Sequence, residues 1–212
     1  MYIIDERYFI KELRIPNTSE VDVDGSDMPF TGWMDQYARL YLQETLGASL
    51  FNDLDSDVTD GILDAGAQQK WLDLVNGVGY SYNGIDYVWK GLIFTEGTFK
   101  GSVIAYYVYC EWLKFQLSQQ TGLGESRGEA VNSMSANSTH RYVSTWNTFV
   151  KMHQGVSTQT STMHYIKGVP FYDYFGNNAN GYVSLIEFLK HNEVTYPGAA
   201  LKCYNYQNTF GL

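Results

Sequence analysis

From Gly101 to Cys110 the chain carries no charged residue. Val103, Ile104, Tyr106, Tyr107, Val108 and Tyr109 wrap around the whole circumference of a helix predicted to begin near Phe99. Polarity returns only as a thin stripe at Glu111, Lys114 and Ser118. A helix that is apolar on all sides belongs at the centre of a core or inside an assembly. The run is far shorter than the roughly 20 residues that a bilayer span requires, so a membrane helix is not expected.

Two longer segments have the spacing of amphipathic helices. In the first, Thr31 is the predicted cap, Met34, Tyr37, Ala38, Tyr41, Leu42 and Thr45 form the buried stripe, and Gly47 ends the helix. Asp35 and Arg39 pair one turn apart on its wet side. In the second, Ser138 is the predicted cap, Tyr142, Val143, Trp146, Phe149 and Val150 share a stripe, and the end lies near Gly155. Shorter helices are predicted over residues 5–13, capped by Asp5, and over 70–76, closed by Asn76-Gly77. A last one is defined by Tyr182, Leu185, Ile186 and Leu189, with its cap near Asn180. The intervening 17–29 and 119–137 segments are polar and aperiodic, and 52–64 is an acidic segment expected to be solvated. The aromatic tail from Leu201 to Leu212 is expected to dock on something.

One hairpin is written in the sequence. Asn83-Gly84 supplies both positive-φ positions of a type I′ turn, which pairs Tyr82 with Ile85, Ser81 with Asp86 and Tyr80 with Tyr87. Alternation then puts Tyr80, Tyr82, Ile85, Tyr87 and Trp89 on one face. An isolated two-stranded ribbon is marginal in water, so this face needs a surface, either the chain's own helices or a neighbouring subunit.

The expected fold is mainly α: a small helical bundle around a central aromatic-rich helix, with one β-hairpin and long loops or arms. Residues 1–30 form an N-terminal arm with a short helix, 31–155 a helical core with the hairpin at 78–89, and 156–212 a C-terminal extension with a short helix and an extended tail.

Composition adds contact surface and subtracts chemistry. The 212 residues are 44% hydrophobic, enough for one substantial core, while only 17% are charged. Tyrosine contributes 18 residues and aromatics 16% of the chain, which suits packed interfaces or an aromatic core. A net charge of −9 repels phosphate and disfavours ordinary nucleic-acid binding. Cys110 and Cys203 have neither metal spacing nor a disulfide framework, which fits a reducing compartment. The opening residues, MYIIDERYFIKEL, lack the apolar run of a secretory leader.

Asp53, Asp55, Asp57 and Asp64 occupy positions 1, 3, 5 and 12 of a calcium-loop template, but Val58 stands where the sharp turn needs Gly. A solvated acidic loop is the expectation. Asp22, Asp24 and Asp27 are spaced less well still. His140, His153, His164 and His191 are scattered without zinc spacing. No nucleophile elbow, phosphate loop or dinucleotide fingerprint occurs, and no carboxylate pair is singled out. No catalytic residue, cofactor or metal is therefore assigned. Exposed aromatics could stack on sugars, yet such a module expects many short alternating strands.

The order of several packing and turn motifs resembles the head-to-tail connector proteins of tailed bacteriophages, of a type common in phages and prophages of Bacteroidetes. The residues are Tyr41-Leu42-Gln43-Glu44-Thr45-Leu46-Gly47, Leu50-Phe51-Asn52-Asp53-Leu54, Trp71-Leu72-Asp73-Leu74-Val75-Asn76-Gly77, Tyr80 and Trp89-Lys90-Gly91-Leu92. They continue with Tyr106-Tyr107-Val108-Tyr109, Thr121-Gly122-Leu123-Gly124-Glu125 and Trp146-Asn147. The resemblance spans about Phe9 to Phe149. It implies a non-enzymatic virion adaptor at the head-tail junction, made in the host bacterial cytoplasm. Copies would form a ring beneath the portal protein, twelvefold if it follows portal symmetry, holding tail or neck proteins and passing DNA without sequence-specific binding or contact with a membrane. Tyr80, Tyr82, Asn83, Gly84, Trp89, Tyr204, Tyr206 and Phe210 are the interface candidates. Another neck or tail-completion ring is the nearest alternative, and a cell-surface glycan-binding module is the alternative of a different class.

Overall fold

The computed structural model describes residues 3–15, 30–96, 99–117, 119–121, 124–126, 138–155 and 182–207. Two single 3-10 turns, Glu6–Tyr8 and Lys11–Leu13, are followed by α1 (Phe30–Leu46), α2 (Ala48–Ser56), β1 (Val58–Thr59), β2 (Ile62–Leu63) and α3 (Gln69–Asn76). Then come β3 (Val78–Tyr82), β4 (Ile85–Trp89), β5 (Ile93–Glu96), β6 (Phe99–Ser102) and α4 (Val103–Leu117). The chain continues through β7 (Gln119–Thr121), β8 (Gly124–Ser126), α5 (Ser138–Gln154) and α6 (Leu185–His191). The fold is thus largely helical with small two-stranded antiparallel sheets.

The uncharged run sits where its sequence requires. Every residue from Gly101 to Cys110 is buried, with α1 packed on one side of α4 and α5 on another. Tyr41 of α1, Tyr107 of α4 and Phe149 of α5 meet at this three-helix junction, with ring centroids 5.1–5.6 Å apart. Tilted and edge-on contacts of this kind add to the area that the rings bury.

Several local expectations are corrected. The central helix begins at Val103 rather than Phe99, because Gly101 resists helix and Ser102 caps it: Ser102 Oγ accepts from the backbone N–H of Ile104 at 3.1 Å. Residues 99–102 instead pair with β5, where the Phe94 ring lies directly over Gly101. The hairpin at 78–89 is therefore one of several, with β1–β2, β5–β6 and β7–β8 pairing likewise. Residues 5–13 form two 3-10 turns instead of one helix, although Asp5 does cap the first, accepting from Arg7 N at 2.8 Å. Thr31 lies inside α1, which begins at Phe30.

The acidic segment is not a loop. Gly47 (φ 81°) turns the chain into α2, which buries Leu50, Phe51 and Leu54 and lines its aspartates along the outer face. Asp55 accepts from Arg39 at 3.0 Å, Asp53 from Lys70 at 2.6 Å, and Asp57 from the backbone N–H of Gln68. The Lys70 ammonium holds the Asp53 carboxyl below its ordinary pKa. The calcium-template residues are thus spread over a helix and a hairpin and spent on local partners.

The last helix starts at Leu185, not before Tyr182, and Ser184 caps it. Asn180 lies outside the described residues, and Tyr182 makes a parallel bridge to Val88. Phe188, Tyr196 and Tyr204 join the same core as α1, α4 and α5. Tyr196 donates to the Lys70 carbonyl at 2.5 Å, which ties the end of the chain to α3.

Candidate interaction surface

The hairpin has the register that Asn-Gly dictates. Asn83 (φ 52°) and Gly84 (φ 76°) make the turn, and Tyr82 pairs with Ile85, Tyr80 with Tyr87 and Val78 with Trp89. Its aromatic face lies on α6 of the same chain. His191 is the anchor: Tyr82 stacks on its ring at 4.1 Å and Tyr87 leans against it at 4.8 Å. Nδ1 faces the Tyr80 hydroxyl at 2.9 Å, and Nε2 faces a Glu187 carboxylate oxygen at 3.0 Å. A carboxylate only accepts, so Nε2 carries a proton, and in the neutral ring Nδ1 then accepts from Tyr80. Burial pushes the Tyr80 phenol well above its ordinary pKa, which keeps it a donor and makes it a poor nucleophile. The arrangement clamps a strand to a helix.

Toward the tip the packing thins. Tyr82, with one ring face on His191, is still 37% exposed and its partner Ile85 56%, so two neighbouring side chains present apolar surface to solvent. Trp89, at the other end, is 1% exposed, stacks on Phe188 and donates Nε1–H to the Leu74 carbonyl at 2.8 Å. Of the hairpin candidates, Tyr82, Asn83 and Gly84 are exposed, Tyr80 is half-buried and Trp89 belongs to the core.

The base of the hairpin is a backbone crossing. Gly77 (φ 89°) ends α3 and Gly91 (φ 99°) follows β4, and the two backbones pass so closely that neither position has room for a Cβ. A Cβ on Gly91 would lie 2.6 Å from the Val75 carbonyl oxygen. Leu92 N–H donates to Leu74 O at 3.1 Å across the same crossing.

The C-terminal tail candidates lie on α5. Residues 202–207 run along it, held by main-chain hydrogen bonds and by the buried Tyr204 ring. Gln154 donates to Tyr204 O at 2.9 Å and accepts from Tyr204 N at 2.7 Å, and Asn147 does the same for Gln207 at 2.8 and 2.9 Å. Trp146 Nε1 donates to Asn205 O at 2.9 Å, and Tyr206 donates to Gly155 O at 2.7 Å. Tyr204 is buried among Tyr107, Trp146, Phe149 and His153, while Tyr206 is 38% exposed. Phe210 lies outside the described residues. A Gln154→Ala variant is expected to lose both bonds to Tyr204, lowering stability by about 1–2 kcal/mol. Hydrogen exchange should then speed up at Tyr204 and leave the α4 amides unchanged, whereas uniform acceleration would mean that the tail does not open on its own.

His153 is the residue that sequence reasoning passed over. It is fully buried, donates Nε2–H to the Lys202 carbonyl at 2.7 Å and meets the Tyr41 hydroxyl through Nδ1 at 2.7 Å. Burial lowers its pKa to about 4, against the Lys202 carbonyl, which favours the protonated ring. The signal was present, since His153 continues the Trp146, Phe149, Val150 stripe by one turn. His191 had no comparable signal, because its partners come from a hairpin more than a hundred residues away.

Beside residues 3–8 lies an open cavity of about 860 Å3, with Ile4, Met34, Leu72, Val75 and Ile93 among its walls and Lys100 at its side. Among the described residues no group of three His, Cys, Asp or Glu is placed to hold a metal, and no helix is long and apolar enough to cross a membrane. Burial raises the Cys110 thiol far above its ordinary pKa, so it is not a thiolate nucleophile. No family model matches the chain, and neither does any curated protein or solved structure compared with it.

Proposed function

We propose that the chain is a structural virion protein, a head-to-tail adaptor whose copies form a ring below a phage portal. The observation that carries this reading is the solvent-facing Tyr82–Ile85 pair, held out on a hairpin that His191 and Phe188 anchor to the core. A rigid apolar tip is a poor solvent surface and a good knob for a neighbour. Heterologous contacts of this kind close into rings when the rotation between copies permits. The motif order that resembles phage connectors supports the same reading, and its residues occupy structural joints: Gly47 between α1 and α2, the Gly77–Gly91 crossing, and Trp146-Asn147 under the tail. Net acidity suits a lumen that DNA traverses without sticking.

The mechanism is mechanical. The helices form a wedge, the hairpin reaches the adjacent subunit, and portal and tail proteins stack above and below. The reading is tested by the mass of the purified protein in solution, with and without portal protein, followed by negative-stain imaging. Rings, alone or on the portal, are expected; a monomer indifferent to portal would move the assignment to another neck layer or to a binding module. Replacing Asn83-Gly84 with Val-Thr, which resists positive φ, should weaken ring formation more than monomer folding. Equal losses in sedimentation and circular dichroism would count against the tip as an interface.

A further inference from the structure

The groove on α5 holds the strap by its main chain and by one buried ring, that of Tyr204. Gln154 and Asn147 each read one backbone N–H and one C=O, and Trp146 and His153 each take a further carbonyl. Between 202 and 206 only the Tyr204 side chain is buried, while Lys202, Cys203, Asn205 and Tyr206 face outward. Lys202 pairs with Glu44 of α1, and the Tyr204 hydroxyl donates to the same carboxylate at 3.0 Å. None of these contacts depends on which copy of the chain supplies the strap.

The segment leading into the strap has the features of a hinge. Pro197 is followed by Gly198 (φ 74°), and Leu201 is held at φ 49°, a left-handed conformation that a branched-chain residue adopts at a cost. Leu201 is kept there by its N–H bond to Thr45 O at 3.0 Å. Extending the chain at Leu201 would relieve that strain and carry residues 202–207 away from their own α5. Swapping an identical element preserves every groove contact and alters the hinge alone, which makes it a low-cost route to association.

From these contacts we propose that the α5 groove is an exchangeable docking site whose partner is the extended C-terminal strap of a second copy of this chain. Each copy then offers one strap and one groove, a head-to-tail contact that needs no portal protein and stands apart from the hairpin tip.

The strap carries its own probe, the exposed Cys203, whereas Cys110 is buried. The unmodified chain serves as strap donor. The acceptor carries Lys151→Cys, on α5 one turn from Gln154, together with Cys203→Ser, and its fold is checked by circular dichroism. The two are mixed over a range of concentrations, treated with a short bis-maleimide and examined by intact mass spectrometry. Mixed dimers that grow with concentration are expected. They should be lost in excess of a peptide spanning residues 200–207 with serine in place of Cys203, and should not form when the acceptor thiol is moved to α2 by Ser56→Cys. Mixed dimers no more abundant than with the Ser56→Cys acceptor, or dimers indifferent to the peptide, would overturn the proposal. If the same peptide with Cys203 retained crosslinks to the Lys151→Cys acceptor while no mixed dimer forms, the groove takes free extended peptides but not a second copy, and the proposal fails.

Discussion

Gly91→Ala is expected to destabilise the folded chain by about 4 kcal/mol, whereas Gly84→Ala, at a similar φ, should cost about 1 kcal/mol. Both glycines occupy the left-handed region, at 99° and 76°, so both substitutions incur the backbone penalty of an L side chain there. They differ in what the new methyl group meets. At Gly84 nothing lies within 4 Å, while at Gly91 the Val75 carbonyl oxygen, the Asn76 carbonyl carbon and the Gly77 nitrogen stand at 2.6–2.7 Å. Those atoms belong to the end of α3, which cannot retreat without breaking the Leu92–Leu74 hydrogen bond and shifting Trp89 off the Leu74 carbonyl. Urea unfolding followed by circular dichroism separates the two variants. Similar midpoints for both would show that the crossing of α3 and β4 opens freely and that positive φ alone sets the cost.

The second large effect is in pH. His153 has an ordinary pKa of 6.5 when unfolded and about 4 when folded, because burial among Tyr41, Phe149 and Tyr204 disfavours the charged ring. Below 6.5 the unfolded chain therefore binds a proton that the folded chain refuses, and stability falls as pH falls. The contribution is complete above pH 6.5 and is lost by about pH 4, a difference of about 3 kcal/mol. Among the described residues the charge that acts on the ring is the Lys202 ammonium, which pairs with Glu44 and itself disfavours a second imidazole proton. The Nδ1 proton would meet only the Tyr41 hydroxyl, which would have to give up its role as donor. Below this window the Asp53 carboxylate adds a further loss, since its lowered pKa makes the folded state resist protonation. In a His153→Gln variant the slope of stability between pH 6.5 and 4 should flatten, even though the variant is weaker at neutral pH. An unchanged slope would assign the acid sensitivity to other groups.

Local pattern alone determined a good part of this protein. The uncharged 101–110 run could only be central, the stripe through Met34, Tyr41 and Thr45 and the one through Tyr142, Trp146 and Phe149 had to face it, and Asn83-Gly84 fixed the hairpin register to the residue. These features rest on periodicity and on backbone rules that act over a few residues. Weak local signals misled where tertiary contacts compete with them. The aspartates of 53–57 suggested a solvated loop because their charge obscured Leu50, Phe51 and Leu54, whose burial makes α2 a helix. Phe99, just ahead of the apolar run, suggested an earlier helix start, yet Gly101 beneath the Phe94 ring made residues 99–102 a strand. The tertiary structure alone decided what the aromatic surfaces touch. Tyr80 and Tyr87 pack on His191, Tyr204 on His153, and Gly77 on the backbone around Gly91, at separations that a one-dimensional pattern does not encode. A tyrosine has the same composition and spacing whether its ring meets its own core or a neighbour's. Only the folded arrangement distinguishes the buried anchors Trp89 and Tyr204 from Tyr82 and Ile85, which are left facing outward.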